Sequence, residues 1–83
     1  MELRGNMEFS QDEASAKKGQ AMRVLRRLPD RRDVKIGSLG KVVGACLLIA
    51  KGWVLEAEFE LPGGDIALVL VERDAYDRCL EKC

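Results

Sequence analysis

From Trp53 to Leu61 the chain alternates without a break. Trp53, Leu55, Ala57, Phe59 and Leu61 fall on one side, and Val54, Glu56, Glu58 and Glu60 on the other. A period of two sends successive side chains to opposite faces of a strand, so this segment reads as a strand with an apolar inner face and an acidic outer one. Pro62-Gly63-Gly64 then reads as a short hairpin loop, with proline at the first turn position and Gly64 as the left-handed residue. The return segment, Ile66 to Val71, is apolar throughout. Ile66, Leu68 and Leu70 are expected to line the core, which turns Ala67, Val69 and Val71 outward. An outward apolar strip needs a cover. The candidates are the C-terminal segment that follows at once and a second copy of the chain.

Other elements are read the same way. Ser10-Gln11-Asp12-Glu13 has the S-x-x-E form of a capping box, and acids precede lysines from Asp12 to Lys18, so a two-turn helix ending at Gly19 is expected. Ala21 to Leu28 fits a helix or a strand. Gly37 and Gly40 suit a tight turn feeding an apolar strand over 42–50, which Lys51-Gly52 ends. Over 74–83, Tyr76, Cys79, Leu80 and Cys83 fall at helical spacing on one stripe behind Asp74 as N-cap. Residues 1–20 form a loose or short-helical leader, and 21–83 a single small domain.

A chain of 83 residues supports one domain with a small core. No apolar run approaches a membrane span, and the polar start is not a signal peptide. Three cysteines without paired spacing point to the cytoplasm rather than to a secreted disulfide framework. The formal net charge of zero hides an asymmetry: −3 over residues 1–16, +8 over 17–51 and −5 over 52–83.

With no histidine, the commonest general base and the usual nucleophile pairs are missing. Cys79 and Cys83, one helical turn apart, read as small apolar residues on the C-terminal stripe. Glu56, Glu58 and Glu60 lie about 7 Å apart at consecutive positions and read as a solvated face. Gly37-x-x-Gly40 is too short for a phosphate loop and lacks its Lys-Ser/Thr pair, because Val42 follows Lys41. No catalytic residue, metal or cofactor is expected. Arg23, Arg26, Arg27, Arg31 and Arg32, with Lys35 and Lys41, form a basic set able to orient a charged partner or to neutralise phosphates. No aromatic residue is interleaved for base stacking.

V-L-R-R-L-P (24–29), G-S-L-G-K-V-V (37–43), L-E-A-E-F (55–59) and G-G-D-I-A-L-V (63–69) together resemble a family of short bacterial proteins of unknown function with an SH3-like small β-barrel. The resemblance covers residues 22–71 and implies that 22–28 is a barrel strand. It offers no catalytic residue. The expected fold is therefore mainly β: an SH3-like antiparallel barrel of about five strands with a short C-terminal helix. The expected function is a non-enzymatic interaction module. It would dock a protein partner, or itself as a homodimer, through a sheet edge or through the Ala67-Val69-Val71 strip. The alternative is nucleic-acid binding by the basic set.

Overall fold

A computed structural model describes residues 8–29 and 31–83. Its elements are α1 (Gln11–Ala16), β1 (Ala21–Val24), β2 (Leu39–Leu48), β3 (Gly52–Glu60), β4 (Ile66–Val71), α2 (Arg73–Cys79) and β5 (Leu80–Lys82). The strands form one antiparallel, unclosed sheet in the order β4-β3-β2-β1-β5. The domain is thus mainly β, as expected, with a helix near each end.

The capping box forms as the sequence predicts. The Ser10 hydroxyl accepts from the Glu13 N–H at 3.1 Å, and a Glu13 carboxylate oxygen accepts from the Ser10 N–H at 2.9 Å. That backbone N–H, helped by Arg73, holds the Glu13 carboxyl below its ordinary pKa. Ser10→Ala should cost about 1 kcal/mol by urea denaturation at neutral pH. The Glu13 half has its own pH signature. A carboxyl whose pKa is lower folded than unfolded stabilises fully above the unfolded value, and that stabilisation is lost as pH falls through the folded value. The gap in urea midpoint between the protein and Glu13→Ala should therefore close in acid.

From Glu8 on, the N-terminal segment takes the short-helical one of the two expected forms, and residues 1–7 lie outside the described residues. Phe9 (3% exposed) and Ala14 (0%) both enter the core. Phe9 bridges to Trp53 and meets Tyr76 edge-on at 5.7 Å between ring centroids. Lys17 Nζ stands 4.8 Å from the Tyr76 ring centroid, so the helix and α2 are tied through aromatic faces.

The inner face of the sheet is built on β3. Leu55, Ala57 and Phe59 are fully buried, and Trp53 packs half-buried against the same core. Antiparallel partners share a face, and the register pairs Leu55 with Val71, Ala57 with Val69 and Phe59 with Ala67. This inverts the expected phase of β4. Ala67, Val69 and Val71 are buried, whereas Ile66, Leu68 and Leu70 face solvent. The cause lies in the hairpin. Its loop runs from Leu61 to Asp65, closed by Leu61 N–H on the Asp65 carbonyl at 2.8 Å, and both Gly63 and Gly64 have φ of 96°. That length sets Glu60 opposite Ile66. Volume agrees, because the small Ala67 sits across from the bulky Phe59.

Three other expectations change. β1 is shorter than 22–28, because the chain turns away after Val24. The C-terminal helix stops at Cys79, and Glu72 rather than Asp74 holds its N-cap position, without a side-chain capping bond. Residues 80–82 then extend as β5, pairing Leu80 with Val24 and Lys82 with Met22, and the Cys83 N–H donates to the Ala21 carbonyl at 3.0 Å. The segment expected to cover the outer β4 strip instead completes the opposite edge of the sheet. Finally, Gly37 does make the turn (φ 92°), but Gly40 belongs to β2.

The long connection 25–38 bridges the open side. At one end the N–H groups of Leu25 and Arg26 donate to the Cys79 carbonyl, at 2.7 and 3.2 Å. Leu28 and Val34 are buried. Leu28, Pro29 and Arg31 then reach Val69, Leu70 and Val71 across a cavity of about 240 Å³.

Candidate functional site

The outer face of β3 and β4 carries two parallel rows. Glu56, Glu58 and Glu60 lie on β3, each directly opposite Leu70, Leu68 and Ile66 on β4. Ile66, Leu68 and Leu70 are 58%, 56% and 48% exposed, which is unusual for three large aliphatic side chains in sequence on an edge strand. On the far side of the glutamates, Lys41 stands opposite Glu58, and Glu56 lies over Gly44, where a Cβ would come 2.6 Å from its carboxylate.

Each end of the apolar row runs into a shallow depression. One, of about 270 Å³, lies between Ile66, Leu39, Lys41, Glu58 and Glu60. The other, of about 250 Å³, lies between Leu70, Leu48, Val54 and the Lys51–Glu72 ion pair. Val54, in phase with the glutamates, is fully buried there. Leu47 and Ile49 form a separate exposed apolar spot at the β2–β3 connection.

The predicted arginines do not converge. Arg23 pairs with Glu81 across the β1–β5 ladder, and that hydrogen bond raises the pKa of its guanidinium. Arg31 grips Asp33 with two parallel bonds of 3.0 and 2.8 Å, which raise the pKa of the arginine and lower that of the aspartate. Arg26, Arg27 and Arg32 are exposed on the 25–38 connection.

Arg31 does one thing that no sequence signal announced. Its Nη1 donates to the Leu68 backbone carbonyl at 3.1 Å, in the middle of the β4 edge. Edge strands are commonly protected from pairing with other chains by a cation of this kind. Leu68 and Arg31 are 37 residues apart, so only the fold brings them together.

The cysteines are separated. Cys79 is buried, with its thiol 3.6 Å from the Arg27 carbonyl, whereas Cys83 is exposed beyond β5 and Cys46 lies on β2. The end of α2 at Cys79 breaks the one-turn spacing expected for Cys79 and Cys83. Among the described residues, no group of three or more metal-ligating side chains stands together, and no helix is long and apolar enough to cross a membrane. Comparison of the chain with family models, with characterised proteins and with solved structures finds no match.

Proposed function

We propose that this protein is a non-enzymatic interaction module that docks a protein partner on the outer face of β4. The observation that carries this reading is the row Ile66-Leu68-Leu70, half exposed on an edge strand and not covered by the protein's own tail. Burying the remaining exposed half of three such side chains in an interface would contribute about 1 kcal/mol each before the costs of association. We read the fold more finely as an SH3-like small barrel. Support comes from β1 pairing with β2 on one side and β5 on the other, and from the helix between β4 and β5. The cysteine usage supports a cytoplasmic location.

A photo-crosslinking residue at position 68, introduced in cells that produce the protein, tests the docking reading. It should give adducts of discrete mass that disappear when Leu70→Lys is added. An adduct at twice the chain mass would identify the partner as a second copy. If position 68 gives no more adduct than exposed Lys18, the docking reading is wrong.

The second reading, nucleic-acid binding, is favoured by Arg26, Arg27 and Arg32 lying exposed on one connection. Arg23 and Arg31 are already engaged with acids. If this reading holds, a labelled single-stranded oligonucleotide should bind with a steep salt dependence, and Arg26→Ala/Arg27→Ala/Arg32→Ala should remove the binding.

A further inference from the structure

We infer that the occupant of the β4 face is a basic, amphipathic helical segment of a partner protein. The inference rests on the docking reading above and adds the partner's charge and conformation.

Charge follows from the second row. A segment lying along Ile66, Leu68 and Leu70 has Glu56, Glu58 and Glu60 beside it for its whole length. Three carboxylates outnumber Lys41 on that flank, and Arg31 and Lys51, which line the depression at Leu70, are each paired with an acid, so lysine or arginine is favoured beside the glutamates. They disfavour phosphate-bearing partners, including nucleic acid and anionic membrane, on this face. The basic 25–38 connection lies at the other side of β4, so it does not reverse the sign of the glutamate flank.

Conformation follows from Arg31. A partner strand adding to β4 would need the edge-facing carbonyl of Leu68, and the Arg31 guanidinium occupies it. An extended segment would therefore leave backbone groups unpaired against an apolar surface, which is costly. A helix satisfies its own backbone and needs no bonds from the edge. Spacing agrees. Successive outward residues of a strand are about 6.6 Å apart, and residues i and i+4 of a helix about 6 Å apart. The depressions at Ile66 and Leu70 lie about 13 Å apart along the strand, so large apolar residues about eight positions apart on the helix would reach both.

The test uses two stapled helical peptides. Both carry leucine at i, i+4 and i+8. One has a lysine row beside that stripe, and the other has glutamate at the same positions. Amide shifts of the isotope-labelled full chain are followed at low salt. The lysine peptide should perturb residues 56–60 and 66–70 and bind roughly tenfold tighter than the glutamate peptide, as three exposed ion pairs of modest strength would give. Glu58→Gln/Glu60→Gln should remove most of that preference, and Leu68→Lys should abolish binding of both peptides. An extended lysine–valine peptide should bind Arg31→Ala better than the unaltered protein.

Equal binding of the two helical peptides at 66–70 would overturn the basic occupant while leaving the docking reading intact. Binding centred on 25–38, or no binding by either peptide, would overturn the inference outright. Whether the docking reading falls with it is then decided by the crosslink at position 68.

Discussion

Phe59→Ala is expected to cost about 3–5 kcal/mol, enough to leave a domain of this size largely unfolded at room temperature. Phe59 heads the fully buried side chains by volume, and it sits on β3 between Gly40 on β2 and Ala67 on β4. Those two partners are small because the ring fills the space above them. A Cβ added at Gly40 would stand 2.4 Å from Phe59 Cδ1 and 2.8 Å from the Glu58 carbonyl oxygen, with backbone blocking one of the two ways to relax. Gly40→Ala should therefore be strongly destabilising, by about 1–3 kcal/mol or more through overpacking, although Gly40 has no unusual φ. Because the two residues touch, their costs should not add. In a Phe59→Leu background, Gly40→Ala should cost clearly less than in the unaltered protein. Urea denaturation followed by Trp53 fluorescence measures all three. Strict additivity would show that the ring does not determine the glycine.

Truncation after Glu72 is expected to abolish cooperative folding. The removed segment contributes Cys79 and Leu80 to the core, with Ala75 and Tyr76 packed against it. It also supplies β5, one of the two strands that pair with β1, and the Cys79 carbonyl that anchors the start of the 25–38 connection. Without it, Met22 and Val24 lose one side of their ladder, and Phe9 loses the Tyr76 ring. Circular dichroism and the urea transition should both show an unfolded or molten chain. A truncated chain that kept a sharp transition and merely associated would mean that the tail serves as a cover for the β4 face. The register of β5 argues against that.

How much of this was legible in the sequence depends on where the information sits. The β3 strand was legible because its polar positions mark its phase. The first helix was legible from its capping box. The burial of Phe9 had a signal as well: it precedes the N-cap, and Ala14 occupies the fourth helical position, the pattern of a hydrophobic staple. The phase of β4 had none, because an unbroken apolar run carries no alternation. The hairpin loop chose it, and the phase it chose is the inverse of the expected one. The alternation of β2 was obscured by a register shift between Val42 and Gly44, which puts Val42 and Ala45 toward the same core. β5 was hidden because its residues continue a helical stripe, and only pairing with β1, far away in sequence, draws them into an extended conformation. As for the site, the glutamate row could be read directly. The apolar row beside it was assigned to the wrong residues, and the Arg31 cap on Leu68 was beyond any local pattern.

Methyl relaxation in the presence of a neutral, soluble gadolinium chelate tests the free outer face most directly. With the full chain at low concentration, the methyl signals of Ile66, Leu68 and Leu70 should broaden strongly. Those of Ala67, Val69 and Val71 should be almost unaffected. Protection of Ile66, Leu68 and Leu70 together with broadening of Ala67, Val69 and Val71 would contradict the register of β4 and, with it, the docking face built on that strand.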